Sequence, residues 1–397
     1  MTAAAAATPA STRHGAILLM AAVMPIMAII SLVPVLPLLL EEFSATPGAP
    51  FLVPMALTVP ALCVALFAPL AGWLSDRVGR KKLLVASLLV YAGAGILPLM
   101  LAELSHIIAS RIALGIAEAA IMTVATALMG DYFAGERREK WIALQMAAGS
   151  IAAIVLIAVG GFLGEAFGSR GPFLLYLLAI PLAIAAWRIL FEPVGELTSG
   201  TQVRIAAALG PIVPLVAVTL GIGIIFYTMV VQLGPILQLS GPASPALIGI
   251  AGALANLGVA FGSFLFRIGR KRAGPFLLAI GLALAAIGYA GAGVGGSFWA
   301  IASFAVIACI GSGLMLPNML TWLMRLLPPE VRGRGTGIWT GAFFLGQFVA
   351  PLVATAIAGR TQGLASVLLI YAALSAAGSI WAFFASRRRS IYESQLA

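Results

Sequence analysis

Long apolar stretches alternate with short polar ones along the whole chain, and each apolar stretch approaches the roughly 20 residues that a helix needs to cross a bilayer. Runs such as Ile151 to Val159 lack the alternation of apolar and polar positions that a transmembrane β-barrel requires. We therefore predict an all-α membrane protein. The twelve predicted membrane-spanning helices lie at about residues 16–40, 51–74, 83–102, 106–130, 141–163, 171–190, 209–233, 245–266, 274–294, 297–323, 334–358 and 363–385.

The composition supports this prediction. Of the 397 residues, 62% are hydrophobic and 9% are charged, whereas soluble proteins carry about 25% charged residues. These values exclude an ordinary soluble protein and leave no room for a sizeable domain outside the bilayer. Cys63 and Cys309 fall inside apolar runs and predict no disulfide. His14 and His106 lie far from each other and from any paired cysteine or carboxylate, so neither a metal site nor a cofactor is predicted.

The basic residues predict the orientation of the chain, because Lys and Arg accumulate in short cytoplasmic loops. With the N-terminus inside, nearly all of the 23 lysines and arginines fall in predicted cytoplasmic loops. Only Arg170 and Arg360 lie in outside loops, and Arg111 lies inside a span. Both termini of this multi-pass protein of the cell (inner) membrane are therefore predicted to be cytoplasmic. The net charge of +10 follows from this distribution and does not indicate nucleic-acid binding.

A sequence repeat links the loop after the second span to the loop after the eighth. The segment 72–82, GWLSDRVGRKK, aligns without a gap with the segment 262–272, GSFLFRIGRKR. A duplication of six spans accounts for the repeat. We predict an N-terminal six-helix half at 1–191, a cytoplasmic linker at 192–204 and a C-terminal six-helix half at 205–397. In the second copy Phe266 stands at the position of Asp76.

The segment 72–82 also resembles the loop signature of the major facilitator superfamily of secondary transporters. That signature reads roughly Gly, any residue, Leu, a small residue, Asp, Arg, any residue, Gly, Arg, and Lys or Arg. The segments RIALG at 111–115, DYF at 131–133 and PEVRGR at 329–334 extend the resemblance over essentially the whole chain. It implies two pseudo-symmetric six-helix halves around a central substrate site, as in multidrug-efflux members.

The resemblance and the electrostatics of helix ends together suggest a gate at this loop. A helix N-terminus attracts anions, so Asp76 is expected to face the start of the eleventh span and to favour closure of the inner side. The family pattern implies that Arg80 pairs with Asp131. The two glycines of the segment are expected to supply close helix packing and a tight turn, and the positive-inside bias is the alternative explanation for Arg77. The expected gating residues are Gly72, Asp76, Arg77, Gly79, Arg80 and Asp131.

Two ionisable residues, Arg111 and Glu118, lie within a predicted span, where such groups are costly and are functional candidates. Their spacing places them on one face of the fourth span, roughly 10 Å apart along its axis. Both are expected to face the central cavity. Burial favours a protonated carboxyl group and a nearby arginine favours the carboxylate, so we predict that Glu118 exchanges the coupling proton beside Arg111. A static ion pair or a packing hydrogen bond is the alternative.

Neutral polar residues within the spans are weaker candidates for the substrate cavity. Such a side chain more often forms a hydrogen bond between helices, which contributes about 0.6 kcal/mol on average. Asn318, which follows Pro317, is the first choice for a substrate contact. The candidate cavity residues are Asn318, Gln145, Tyr227, Gln232, Asn256 and Gln347.

These features favour a monomeric proton-coupled antiporter that exports hydrophobic or amphipathic small molecules by alternating access. A proton-coupled importer or a facilitator of an organic solute is the alternative. Antiporters of the family often carry a Gly-Pro pair where this chain has Leu156 and Ile157, although Gly160 and Gly161 follow as expected. An enzyme is not predicted, because no Ser-His, Cys-His or paired-acid constellation is found. The two-half repeat disfavours a channel or sensor.

Overall fold

The computed structural model describes residues 10–193, 210–269, 271–272, 274–327 and 332–395. Every regular element in these ranges is a helix. The predicted linker at 192–204 lies outside the described residues from position 194 onward. The prediction of an all-α membrane protein is confirmed.

The first half contains six long helices. Short 3₁₀ turns or helices extend three of them: α1 continues through Val33–Val35 and Leu36–Glu42, α3 ends in Leu97–Leu99, and Gly168–Leu178 precedes α6. The six helices are α1 (Thr12–Ile30), α2 (Ala49–Val78), α3 (Arg80–Ile96), α4 (Leu104–Tyr132), α5 (Gly135–Phe167) and α6 (Ala179–Ile189).

The second half contains six more. The 3₁₀ turn Gly210–Ile212 leads into α7, and the short helix Leu233–Leu237 and the turn Gln238–Ser240 follow it. The long helices are α7 (Val213–Val231), α8 (Pro245–Gly269), α9 (Gly274–Val294), α10 (Phe298–Leu326), α11 (Arg332–Ala358) and α12 (Leu364–Gln395).

Eleven helical runs in the described part of the chain are long and apolar enough to cross a membrane, and one of them contributes two crossings. This run, Gly135–Ile189, is 55 residues long. The chain reverses within it at Gly168, whose φ of +71° lies in the left-handed region that favours glycine. Just beyond the turn, Gly171 lies against the backbone of Leu163. The number of twelve spans is therefore confirmed.

The buried apolar side chains form two clusters, one for each set of six helices. The first runs from Ile17 to Leu190 and the second from Ile212 to Ala382. Each cluster also takes in a few residues of the other set: Val231 belongs to the first, whereas Ile30, Val33 and Ile157 belong to the second. Each half thus buries its own core, and the halves interlock through a few side chains.

Among the described residues, contacts between the two halves concentrate at one end of the bundle. We call this the Arg170 end, and we call the opposite end, which carries the loop 72–82, the Asp76 end. Near the Arg170 end, Thr58 Oγ1 of α2 donates to the carbonyl of Phe348 in α11 at 3.4 Å, and Thr355 Oγ1 donates to the carbonyl of Pro50 at 3.4 Å.

Helices α5 and α8 also cross near the Arg170 end. The buried residues of α5 are confined to its second half, from Ile157 to Gly164, and Gly161 lies against the backbone of Pro245 and Gly249. Its first half, toward the Asp76 end, contains no buried residue. The halves are therefore packed together at the Arg170 end.

Candidate functional site

Helix α4 carries two charged side chains into the interior. Arg111 and Glu118 are each 1% exposed. The Arg111 guanidinium donates from Nη1 to the hydroxyl of Tyr176 at 2.8 Å and lies over the rings of Tyr176 and Phe173, with its Cζ 4.8 and 5.3 Å from the two ring centroids. Contact with aromatic faces stabilises a desolvated cation. Its Nε and Nη2 have no hydrogen-bond partner among the described residues.

Arg111 occupies the core of the first half, which differs from the expectation that it faces the central cavity. Beside it lies a cavity with room for about one water molecule, lined by first-half residues such as Leu32, Leu57 and Ile107. The spacing to Glu118 correctly placed both residues on one face of α4. The spacing did not reveal that this face turns, at the level of Arg111, toward the 3₁₀ helix Gly168–Leu178, where the hydroxyl of Tyr176 offers a partner.

Two tyrosines complete this buried polar network. The Tyr176 hydroxyl donates a hydrogen bond to the carbonyl of Ala28 in α1 at 2.9 Å, and the Tyr91 hydroxyl of α3 donates to the carbonyl of Met24 at 2.5 Å. The centroids of the two tyrosine rings are 5.3 Å apart. The network therefore ties α1, α3, α4 and the 3₁₀ helix before α6 together.

A similar arrangement occurs in the second half. The hydroxyl of Tyr289 in α9 donates to the carbonyl of Ile225 in α7, and the ring of Tyr289 lies 5.7 Å from that of Tyr371 in α12. The third helix of each half thus bonds to the first helix and contacts a tyrosine ring, which lies in α12 in the second half and just before α6 in the first. In the described structure no arginine contacts Tyr289 or Tyr371. The buried cation beside a tyrosine pair is therefore found in the first half alone.

Glu118 lies in a different environment from Arg111. Neither carboxylate oxygen has a hydrogen-bond partner among the described residues, and no ion pair with Arg111 is formed there. The charge of Glu118 lies within electrostatic range of Arg111, Tyr91 and Tyr176 in the first half and of Tyr227 of α7 in the second. The predicted ion-pair alternative is absent from this described arrangement, and Glu118 lies between the network of the first half and the second half.

A cluster of aromatic residues covers the neighbouring part of the interface. The ring of Phe343 lies 5.1 Å from Tyr227 and 6.0 Å from Trp339, onto which it stacks. Tyr227 and Phe344 also pack against the core of the first half. The central aromatic cluster comprises Phe226, Tyr227, Trp339, Phe343 and Phe344.

The other predicted cavity residues have varied surroundings. Asn318 is 3% exposed and donates from Nδ2 to the carbonyl of Gly274 at 2.8 Å, which joins α10 to the start of α9. Asn256 donates to the carbonyl of Gly252 in its own helix. In this conformation the Asn318 amide therefore makes a hydrogen bond between helices, and the Asn256 amide makes one within its own helix.

The three glutamines differ in position. Gln347 of α11 is 3% exposed, and its Oε1 has no partner among the described residues. Gln232 follows the last residue of α7 at the Arg170 end and is also buried. Gln145 is half-buried in the first half of α5. Gln347, which lies one turn from Phe343, is the glutamine best placed beside the central aromatic cluster.

The loop 72–82 brings together a cluster of charges at the Asp76 end. Arg80 forms ion pairs with Asp76 at 3.2 Å and with Asp131 of α4. Glu192 was not predicted from the sequence, and its carboxylate accepts from the backbone N–H groups of Arg80 and Lys81 at the start of α3. The position of Glu192 directly after the sixth predicted span was the sequence feature that could have identified it.

The remaining residues of this loop differ in their roles. Gly79 has a φ of +102°, as a tight turn requires. At Gly72 an added Cβ would meet Thr123 Cγ2 at an ordinary 3.7 Å, so close helix packing there stays a prediction for the other conformation of the carrier. The Arg77 guanidinium lies over the ring of Trp73, with Cζ 4.0 Å from the centroid. The contact of Asp76 with the start of α11 stays a prediction, since residues 328–331 lie outside the described part of the chain.

The chain is similar in sequence to known membrane transporters. Residues 17–279 and 209–396 match the family model described as Major Facilitator Superfamily. The multi-drug resistance efflux pump PmrA of Streptococcus pneumoniae serotype 4 is 26% identical over 364 residues, which cover 83% of this chain and 85% of the pump. The tetracycline resistance protein, class B, of Escherichia coli is 33% identical over 150 residues, which cover 37% of this chain and only 36% of that protein.

The fold is also similar to that of solved transporters. A bacterial homologue of the human lysosomal transporter Spinster, crystallised in an inward-facing and occupied conformation, superimposes with a TM-score of 0.76 at 16% identity. The alignment covers 96% of this chain and 98% of the homologue. At this level of identity the similarity concerns the fold alone.

Proposed function

Because the chain belongs to the major facilitator superfamily, we propose that it exports hydrophobic or amphipathic small molecules in exchange for protons. As a member of this family it is a multi-pass membrane transporter of small molecules and not an enzyme. Export is supported by its similarity to the two resistance proteins described above. Proton coupling is inferred from its own buried residues.

The observation that carries the proposal is the position of Glu118. This carboxyl group is 1% exposed and lacks a hydrogen-bond partner among the described residues, and Tyr227 of the second half lies within electrostatic range of it. A driving proton must bind a group whose surroundings differ between the two states of the carrier. Movement of the second half would change the surroundings of Glu118 at Tyr227, whereas Arg111 stays anchored to Tyr176 within the first half.

The central aromatic cluster provides the substrate surface in this proposal. Trp, Tyr and Phe rings bury large apolar areas and stack on planar ligands, which suits amphipathic molecules. Two polar groups near this surface lack protein partners in the described structure, Trp339 Nε1 and Gln347 Oε1. They would orient the polar part of a substrate, as the few polar groups of an apolar site commonly do.

The location of the contacts between the halves supports a mechanism of alternating access. If the Asp76 end is cytoplasmic, as the distribution of basic residues predicts, the packed Arg170 end faces outside and this conformation opens inward. Rocking of one half against the other would then close the Asp76 end and expose the site to the outside. The predicted division into halves at 1–191 and 205–397, the inner-membrane location, the cytoplasmic termini and the monomeric state are parts of this proposal.

Cysteine labelling in intact cells tests the orientation. A cysteine at position 138 is expected to react only after the membrane is permeabilised, whereas a cysteine at position 360 is expected to react with an impermeant reagent from outside. The reverse pattern would contradict the cytoplasmic assignment of the Asp76 end.

Transport by the purified protein in liposomes tests the function itself. An imposed pH gradient is expected to drive amphipathic dyes against their concentration gradient, with protons moving in the opposite direction. Movement of solute and proton in the same direction would favour the alternative of a proton-coupled importer. Equilibration without accumulation would favour a facilitator.

A further inference from the structure

The last turn of α5 contacts the first turn of α8 through a side chain that the mechanism above does not use. Glu165 is exposed near the end of α5, and its Oε2 accepts a hydrogen bond from the backbone N–H of Ala246 at 3.3 Å. Glu165 belongs to the first half and Ala246 to the second. The bond therefore crosses the interface between the halves at the Arg170 end.

The start of α8 leaves one donor for this carboxylate. The first helical residue, Pro245, has no backbone N–H, and the N–H of Leu247 donates to Ser244 Oγ at 3.4 Å. The N–H of Ala246 lies between them and is bonded to Glu165. The positive end of the α8 dipole adds a favourable interaction with the negative charge.

Close backbone contact makes this bond dependent on the conformation. A Cβ added at Gly161 would lie 2.6 Å from the carbonyl oxygen of Pro245 and 2.9 Å from Gly249 Cα, and Gly164 lies against the Pro245 side chain. Glu165 is one residue beyond Gly164, so its reach to Ala246 depends on this crossing. Separation of α5 from α8 would break the bond.

We propose that Glu165 is a gating residue that stabilises the closed state of the Arg170 end by capping α8 from the opposite half. The inference rests on the proposed alternating access. Asp76, near the end of α2, is predicted to face the start of α11 at the other end of the bundle. The two carboxylates would then act in alternation, each bound to a helix N-terminus of the second half when its own end is closed.

Distance measurements between the two halves test the proposal. Spin labels on cysteines introduced at the exposed positions Met100 and Arg360 report the opening of the Arg170 end by double electron–electron resonance, in a protein whose buried Cys63 and Cys309 are replaced. Glu165→Gln is expected to raise the ratio of open to closed protein about two- to fivefold, as loss of a charge at a helix N-terminus implies. Glu165→Lys is expected to raise it further, because it places a positive charge at the positive end of α8.

The matched control is Glu41→Gln, which removes an exposed carboxylate at the same end. It is expected to leave the ratio unchanged. A wild-type ratio in both Glu165 variants, in a protein that does interconvert, would overturn the role of Glu165 alone. A wild-type protein with one fixed distance at every pH and substrate concentration would overturn alternating access and this inference with it. Size-exclusion profiles of the detergent-solubilised variants establish that each one is folded.

Discussion

Arg170 binds Glu42 through two nitrogens, with Nη2 at 2.5 Å and Nε at 3.1 Å from Oε1. The same guanidinium donates to the backbone carbonyls of Pro98 and Leu101. One side chain thus joins the extension of α1, the loop between α3 and α4, and the turn after α5. This arrangement holds the Arg170 end of the first half together as a unit, which a rigid-body movement of that half requires.

We expect Arg170→Ala to lower the free energy of unfolding by about 1.5–3 kcal/mol, the usual range for hydrogen bonds to charged groups. Arg170→Lys should recover little of this loss, because an ammonium group cannot reproduce the forked geometry of the guanidinium. Denaturant unfolding in detergent micelles measures the effect. Arg360→Ala is the control, since Arg360 is exposed at the same end and donates within its own helix end. Equal losses in the two alanine variants would contradict this role of Arg170.

Asp76→Asn is expected to shift the population toward a state that is open at the Asp76 end. The substitution removes a charge that is predicted to face the α11 N-terminus, an interaction of about 0.3–1 kcal/mol, or up to ~2 kcal/mol when partly buried. Turnover should therefore fall more than substrate affinity. Transport rates and the accessibility of a cysteine at position 145 measure the two effects.

The control for Asp76 is Asp131→Asn, which also removes a partner of Arg80 but lies on α4. Asp131→Asn should weaken the ion-pair cluster of the loop 72–82 without the same change in the accessibility of the cysteine at position 145. Unchanged turnover and unchanged accessibility in Asp76→Asn would remove this gate from the mechanism.

Gly161→Ala is expected to weaken the closed state of the Arg170 end. The added methyl group would lie 2.6 Å from the Pro245 carbonyl oxygen, and such overpacking costs about 1–3 kcal/mol. The distance distribution between labels at Met100 and Arg360 should then shift toward the open state. Gly341→Ala is the control, because nothing lies within 4 Å of its added Cβ. A wild-type distribution in Gly161→Ala would show that α5 and α8 do not pack this closely.

The hydrophobic pattern was sufficient to predict the twelve helices, because span length and polarity are properties of the local sequence. Burial could also be predicted, and both Arg111 and Glu118 lie in the interior of the protein. The direction of each side chain depends on neighbours distant in the sequence. Arg111 points toward Tyr176, 65 residues away, and no local pattern indicates that pairing.

Residues that the sequence did not single out also have partners that are distant in the chain. Glu165 and Ala246 lie 81 residues apart, and neither belongs to a recognisable motif. The central aromatic cluster combines rings of α7 and α11, which local hydropathy alone does not distinguish from lipid-facing residues. Asn318 was attractive because it is polar within a span, but the carbonyl of Gly274 satisfies its amide. A polar residue in a span therefore identifies a need for a partner, and the fold decides which partner meets it.

The central claim is that Glu118 carries the coupling proton. Glu118→Gln keeps the size of the side chain and one hydrogen-bonding oxygen but makes the group permanently neutral. A carrier needs a proton site whose surroundings differ between its two states, so this variant should bind substrate and exchange it without a gradient while losing accumulation driven by pH. The control is Glu41→Gln, which neutralises an exposed carboxylate outside the candidate site and is expected to keep accumulation driven by pH.

The most direct measurement compares wild-type protein and Glu118→Gln in proteoliposomes, with substrate accumulation recorded as a function of the imposed pH gradient. We expect accumulation by the wild type and only gradient-independent exchange by the variant. Uphill transport by Glu118→Gln with the pH dependence of the wild type would contradict the account and would leave Glu118 as a structural residue of α4.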